Sequence, residues 1–312
     1  MLLSIIIVNW NAGIQLKECL DSVLAYSKGV VSRIIVVDNG STDGSADAVA
    51  HLPGVEVIRT GKNLGFGAAC NIGAEVGDAP YILFLNPDTR LEADSLSVPL
   101  AFMAQPENAK VGICGIQLVD EQGTVSRTCA KYPTLGRLVC SALGVDKLPG
   151  LHGSGVHMSD WDHLNCRQVD HVMGAFYLMR RDIFERVGGF DERFFVYLED
   201  VDLSKVVNDR GFGIWYLTSA QAFHAGGGTS RQVKVHRLFY SLRSRLLYGF
   251  KHFPRWQAWL LVGVTNLLEP FTRSVWCLLR GDVADVKHTW AAYGMLWRSM
   301  GHILRGEGRY NP

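Results

Sequence analysis

Short apolar runs and polar stops alternate through the first ninety residues. Leu2–Val8 is rich in isoleucine and stops at Asn9; Arg33–Val37 and Val55–Ile58 are β-branched; Tyr81–Leu85 is wholly apolar. Runs of this length, bounded by polar turns, read as buried strands. Between them the period changes. In Ile14–Tyr26 the residues Leu16, Leu20, Val23 and Leu24 fall at helical spacing, and Gly65–Val76 reads as a helix of small residues. Strands alternating with helices predict βαβ units and a mostly parallel central sheet.

In such sheets ligands bind beyond the carboxyl ends of the strands. Polar residues gather there: Asn9 after the first run, Asp38 to Asp43 after the second, and Asn86, Pro87, Asp88 and Thr89 after the run at Tyr81–Leu85. A parallel sheet brings these three groups to one edge. From Val111 to about Asp170 the pattern is weaker, with loop signals at Leu148–Gly155, and after Thr229 the chain turns helical, basic and aromatic. The expected organisation is a body at residues 1–230 and a helical C-terminal region at 231–312.

Five segments carry candidate chemistry. DNGSTDGS (Asp38–Ser45) suits a tight turn in which Asp43 caps the next helix, and it offers Asp38 and Asn39 to a nucleobase and ribose. NLGFGAACNIG (Asn63–Gly73) contains Gly65-x-Gly67, but Cys70 stands where a dinucleotide fold wants its third glycine, and the segment follows the third strand. A Rossmann oxidoreductase is therefore rejected; the small residues allow close approach to the sheet or to a ligand. LNPDT (Leu85–Thr89) puts the carboxylate of Asp88 just past a strand. GGFDERFFVYLEDVDL (Gly188–Leu203) sets Asp191, Glu192, Glu199, Asp200 and Asp202 among aromatic rings. A helix start explains Asp191, Glu192 and Asp202; it explains the adjacent pair Glu199–Asp200 less well. FHAGGGTS (Phe223–Ser230) places His224 before three glycines.

Charge divides the chain. Residues 1–230 carry 18 Lys+Arg against 26 Asp+Glu, whereas residues 231–312 carry 13 against 4. An acidic body is a poor fit to nucleic acid, and a basic tail points to something anionic. Arg243, Arg245, Lys251 and Arg255 alternate with Leu246, Tyr248, Phe253 and Trp256, which suits either an amphipathic helix on an anionic membrane or a helix packed on the body or on a second subunit. Seven scattered cysteines without a CxxC pair fit a reducing compartment, and His152, His157, His163 and Cys166 match no zinc spacing. The opening MLLSIIIVNWN reads as a strand rather than a signal peptide, and no uncharged apolar run reaches 18 residues.

Together, VNWN (Val8–Asn11), VVDNGSTDGS (Val36–Ser45), NLGFGAACNIG, FLNPDT (Phe84–Thr89), GAFYLMRRDIFERVGGFDERFFVYLEDVDL (Gly174–Leu203) and FHAGGGTS resemble the family 2 glycosyltransferases of the GT-A fold, most closely the rhamnosyltransferase-like branch. The resemblance implies an α/β nucleotide-binding domain with a C-terminal helical extension. It implies nucleotide-sugar contacts from Asn9, Asp38, Asn39, Asn63, Gly65, Asn86 and Asp88, and a divalent metal, Mg²⁺ or Mn²⁺, held through Asp88 and His224. Asn86 stands where the family's DxD motif has its first acid. Asp200 is implied as catalytic base, with Glu199 orienting it or binding the acceptor. Val206 stands where the family often has arginine, with Lys205 and Arg210 as substitutes.

The implied reaction is inverting transfer of L-rhamnose from dTDP-L-rhamnose to a saccharide or lipid-linked saccharide of a cell-surface polymer. Its expected place is the cytoplasm, or the inner face of the cytoplasmic membrane as a peripheral protein, with a homodimer as a further partner state. UDP- or GDP-sugar donors, a non-catalytic sugar-nucleotide-binding homologue and a nucleotidyltransferase are the alternatives. Against the last, Asn9–Gly13 lacks the basic residue of a phosphate loop.

Overall fold

The computed structural model describes residues 2–148, 150–226 and 234–307, and the chain divides into two compact units. The first takes residues 1–130, 161–191 and 200–229. Its strands are β1 (Leu3–Asn9), β2 (Val31–Asp38), β3 (Val55–Arg59), β4 (Tyr81–Leu85), β5 (Thr89–Leu91), β6 (Val111–Val119), β7 (Arg167–Val169), β8 (Phe176–Arg180) and β9 (Gly213–His224). They form one sheet in the order β3-β2-β1-β4-β8-β6-β9-β5, with β7 also on β9.

The first four strands are mutually parallel, as their apolar runs imply. β8 then enters antiparallel between β4 and β6; β9 runs parallel to β6; β5 and β7 run antiparallel to β9. Every residue of β1, β4 and β6 is buried, as expected of strands covered on both faces. Each such Ile or Leu contributes about 1.5–3 kcal/mol by leaving water.

Helix α1 (Ile14–Tyr26) buries Leu16, Cys19, Leu20 and Val23, the i, i+3, i+4, i+7 stripe. A short α2 (Ser45–Val49) follows β2, and α3 (Phe66–Val76) buries Gly67, Ala68, Ala69, Cys70, Gly73 and Ala74. A Cβ on Gly73 would lie 2.5 Å from Ile6 Cγ2, so the small residues serve close packing of helix on sheet. Strand β6 is the central element that periodicity failed to mark. Its apolar run is broken by Gly112 and Gly115, and a Cβ on Gly115 would meet Val172 at 2.7 Å. These glycines make room for neighbours rather than ending a strand. The unit also contains α4 (Ser97–Ala104), α6 (Arg181–Val187) and, apart from its first residue, α7 (Glu199–Asp209).

The second unit takes residues 131–160, 192–199 and 230–312. It holds α5 (Leu135–Leu143), α8 (Lys234–His252), α9 (Arg255–Gly263), α10 (Glu269–Leu279) and α11 (Val283–Leu304), with a single wide π turn at Val264–Leu268. The Thr134 hydroxyl caps α5 by accepting from Arg137 N–H, and Gly144 ends it in the left-handed region.

Helix α8 is not the surface helix that its basic and aromatic alternation allowed. Phe239 through Gly249, apart from Tyr240 and Ser241, are buried. Arg243 donates to the carbonyls of Arg193 (3.0 Å) and Glu307 (2.9 Å), and Ser244 donates to Val196 O at 2.8 Å. Arg245 reaches Glu269, which also receives Arg273 Nε at 2.8 Å. Guanidinium groups on this helix thus satisfy buried carbonyls and a carboxylate, and the exposed apolar side chains fall instead on α9, the π turn, α10 and α11. Among the described residues no helix is long and apolar enough to cross a membrane.

Candidate active site

The parallel register sets Asn9 opposite Asp38 at the carboxyl ends of β1 and β2. Both are buried. The Asn9 amide nitrogen lies 3.0 Å from Asp38 Oδ1, 3.0 Å from Ser41 Oγ and 2.9 Å from Ser45 Oγ. The following turns are tied across: Thr42 N–H donates to Asn11 Oδ1 at 2.8 Å, and Gly13 N–H to Asp43 Oδ2 at 2.8 Å. Asp43 also accepts Ser45 N–H at 3.0 Å, so it caps α2 from the position before Gly44. Slight burial works to raise the Asp43 pKa, but the bonds from Ser45 and Gly13 outweigh it and hold the carboxyl below the usual range. Gly40 adopts φ +80°, and a Cβ there would come within 2.7 Å of the Lys62 backbone, so only glycine fits this turn.

Asn39 is spent on the neighbouring loop. Its amide donates to Asn63 Oδ1 (3.0 Å) and Gly65 O (3.1 Å), and its Oδ1 accepts Leu64 N–H at 2.9 Å. Asn63 Oδ1 in turn accepts Gly65 N–H at 2.9 Å. Asn39, Asn63 and Gly65 therefore form one hydrogen-bonded corner beside Asp38, where chain-to-chain bonds take up their polar atoms. Arg59 Nη1 lies 3.9 Å from Asp38 Oδ2.

Two strands bring Asp88 and His224 together. The turn after β4 leads directly into β5, whose first residue, Thr89, is the register partner of His224 at the end of β9. Asp88 Oδ1 then stands 3.3 Å from His224 Nε2, both side chains about one-tenth exposed. Gly227 to Ser230 of the glycine-rich stretch lie outside the described residues. Beside Asp88 is a cavity of about 80 Å³ lined by Gln15, Glu18, Arg90, Glu121 and Phe223. Arg90 pairs with Glu18 and Glu121 at 3.0 Å each and lies 3.7 Å above the Phe223 ring. A larger hollow of about 500 Å³, lined by Tyr81 and Arg180, opens at the opposite end of β4, away from these groups.

Asp200 reaches the same sheet edge by another route. Tyr197 and Leu198 adopt φ of +68° and +64°, a left-handed pair costly for residues with a Cβ, and α7 opens immediately after them at Glu199. Glu199 is buried and Asp200 retains partial exposure. Asp200 Oδ2 accepts Gly174 N–H at 3.0 Å and Oδ1 accepts Val201 N–H at 2.8 Å. A Cβ on Gly174 would sit 3.0 Å from that carboxylate, so glycine permits the approach. One residue on, Ala175 O accepts Asn86 N–H at 3.0 Å. The turn carrying Asp88 and the carboxylate of Asp200 are thus tied to consecutive residues before β8. Burial works to raise the Asp200 pKa; His171 and the two N–H donors outweigh it and hold it below the ordinary range.

With this geometry in place, the comparison with known proteins is decisive. Residues 4–188 match the family model described as "Glycosyl transferase family 2". The chain belongs to glycosyl transferase family 2. It is a glycosyltransferase. The family 2 enzyme is 30% identical over 277 residues, 84% of this chain and 89% of the relative, to N-acetylglucosaminyl-diphospho-decaprenol L-rhamnosyltransferase of Mycobacterium tuberculosis. It is 27% identical to Rhamnosyltransferase WbbL of Escherichia coli, covering 78% and 91% of the two chains. In fold it is similar to the mannosyltransferase PcManGT of Pyrobaculum calidifontis, solved with GDP-Man and Mn²⁺ (TM-score 0.54, 15% identity, 97% and 86% covered). It is similar also to GalNAc-T7 solved with UDP, GalNAc and Mn²⁺ (TM-score 0.55, 14% identity, 78% and 47% covered). The GT-A fold class read from the sequence is thereby shown.

The divalent metal can be tested against the donor set of the family 2 enzyme. Among the described residues no three His, Cys, Asp or Glu side chains converge on one point. Asp88, in the turn before β5, and His224, at the end of β9, supply one oxygen and one nitrogen. Two protein donors suit a cation whose remaining positions come from diphosphate and water, so the residues fit an open site. Lys205 is engaged with Asp209 on α7, at 2.6 Å. The site residue that sequence reasoning missed is His171, whose Nε2 lies 3.5 Å from Asp200 Oδ2. As a lone histidine between β7 and β8 it carried no motif; only the fold brings it to Ser204 and Asp200 of α7.

Proposed function

We propose that this glycosyltransferase moves L-rhamnose from dTDP-L-rhamnose, with inversion, onto a lipid-linked saccharide. The observation that carries the reading is the convergence of Asp38, Asp88–His224 and Asp200 on one strand edge through β1, β2, β4 and the residues before β8. Asp38, held by Asn9, faces the nucleobase, and the Asn39–Asn63–Gly65 corner shapes the wall beside it. Asp200 takes the proton from the acceptor hydroxyl. That oxygen forms a bond to the anomeric carbon as the bond from that carbon to phosphate oxygen breaks, and nucleoside diphosphate departs with the electron pair. A divalent cation held by Asp88 and His224 would neutralise the charge developing on the diphosphate. Glu199 orients the acceptor side of the site. Rhamnose is favoured because the relatives matched over most of their length are named rhamnosyltransferases.

We also place the enzyme on an anionic lipid surface through α9 to α11. Trp256, Leu267 and Leu279 there are 65%, 69% and 73% exposed, and Trp259, Phe271 and Leu278 also stand in solvent. Tryptophan with basic residues suits the membrane interface. The surplus of 13 basic over 4 acidic residues in 231–312 opposes self-pairing of this region and favours anionic headgroups. A relative is named for a decaprenol-linked acceptor.

Calorimetric titration with dTDP, UDP and GDP, with and without Mg²⁺ or Mn²⁺, tests the donor. Metal-dependent preference for dTDP, lost in Asp88→Ala, supports rhamnose. Preference for UDP or GDP keeps the fold and mechanism and discards that donor.

A further inference from the structure

His171 does more than fill space. Its side chain is 5% exposed, and both ring nitrogens are engaged. Nδ1 lies 2.9 Å from Ser204 Oγ on α7, and Ser204 Oγ lies 2.8 Å from the Tyr177 hydroxyl on β8. Nε2 faces Asp200 Oδ2 at 3.5 Å. We propose that His171 is the positioning residue for Asp200: Ser204, backed by Tyr177, holds the ring in place at Nδ1, and its Nε2–H orients the carboxylate for the acceptor hydroxyl.

The hydrogen bonds assign the directions. In the neutral ring Asp200, as an anion, can only accept, so Nε2 carries the proton. Nδ1 then accepts the Ser204 hydroxyl hydrogen, and Ser204 accepts from Tyr177. Each member is held by the next, the arrangement by which a buried histidine keeps one tautomer. Asp200 is fixed on the remaining sides by Gly174 and Val201 N–H. Its side chain retains 20% exposure, the opening left for substrate. A nitrogen–oxygen separation of 3.5 Å is long for a hydrogen bond and leaves room to tighten when substrate excludes water. Among the described residues, His171 from the loop before β8 faces the Asp200 carboxylate, Tyr177 from β8 donates to its backbone carbonyl at 3.4 Å, and Glu199 and Asp202 flank it on its own helix.

This inference rests on Asp200 being the base, so the two are tested separately. The substrate-independent readout is ¹³C NMR titration of the Asp200 carboxyl carbon, assigned by its loss in Asp200→Asn. Replacing a donor to a carboxylate moves its titration by about one pH unit. In His171→Leu, which keeps bulk but removes the donor, the Asp200 midpoint should rise by about that amount. In His171→Gln, which restores an N–H near Nε2, it should return most of the way. dTDP binding in the presence of Mn²⁺ should be unchanged in both. Identical midpoints in wild type and His171→Leu overturn the inference. If His171→Leu does not fold, Ser204→Ala takes its place: it removes the partner of Nδ1 and loosens the ring, which should raise the Asp200 midpoint by a smaller amount, and an unmoved midpoint there also overturns the inference. Retained sugar transfer in Asp200→Asn would defeat the base reading while leaving the His171–Asp200 coupling to stand or fall by titration.

Discussion

The sheet unit brings Asn9, Asp38, Asn39, Asp88 and Asp200 to one edge of its strands. The helical unit seals its buried charges inside and turns Trp256, Trp259 and Phe271 outward. Asn9, Asp38, Asn39 and Asp200 are each held by named donors or acceptors yet stand at strand or helix ends. Arg245, Thr265 and Glu269 instead close on one another at the π turn, with Arg273 completing the cluster. Polar side chains of the same kinds thus stand at an open edge in one unit and are closed into the architecture of the other. The difference lies in whether the fold leaves one side of the group open.

The contrast can be broken from either side. The largest effect is expected at Asp200. Asp200→Asn should lower kcat by about 10²–10⁴-fold, with nucleotide affinity spared. Product assay with parallel titration checks both halves, and a joint loss of binding would contradict the base role. Next is Glu269. Removing it leaves Arg245 as a buried, uncompensated cation and takes the partner from the half-buried Arg273, so Glu269→Ala should cost about 3–5 kcal/mol of stability. Burial works to raise the Glu269 pKa, but the two arginines outweigh it and hold the pKa below the ordinary glutamate range. Its contribution is present above that range and lost as pH falls through the depressed folded value. Acid unfolding of the wild type should therefore show a loss below about pH 4.5 that Glu269→Gln lacks. Chemical denaturation at two pH values reads this.

A smaller effect belongs to Asn39. Asn39→Ala leaves Leu64 N–H and Gly65 O without their partner and should cost about 1–3 kcal/mol, with weakened nucleotide binding as the corner loosens. Unchanged binding would mean the corner is scaffold alone. The smallest stability change is expected outside. Trp256→Ser with Trp259→Ser should stay within about 0.5 kcal/mol of wild type, yet abolish cosedimentation with phosphatidylglycerol vesicles. Retained vesicle binding, or dissociation of a dimer in the variant, would move the partner from lipid to a second copy.

The sheet edge was legible because parallel strands end together: polar stops after β1, β2 and β4 could only fall on one side. Asp200 was legible only through the resemblance, since its place depends on a left-handed pair at Tyr197 and Leu198 and on Gly174 meeting it across the fold. β6 was hidden because the spaces beside Gly112 and Gly115 are filled by side chains remote in sequence. The burial of α8 was hidden for a related reason. An arginine that reaches a backbone carbonyl reads the same, residue by residue, as one that reaches water.

The register partnership of Thr89 with His224 has a consequence in time. The Asp88–His224 pair is separated by 136 positions and joined through the short ladder of β5 on β9 and the bond from Ala225 N–H to Asp88 O. A chain emerging from the ribosome can pair β1, β2, β3 and β4 early, through short connections. It cannot bring His224 to Asp88 until β9 has been made and docked. Long-range closures of this kind come late in folding. A nascent or truncated chain that lacks β9 therefore holds the Asn9–Asp38 edge without the Asp88–His224 pair, which arrives with the last strand.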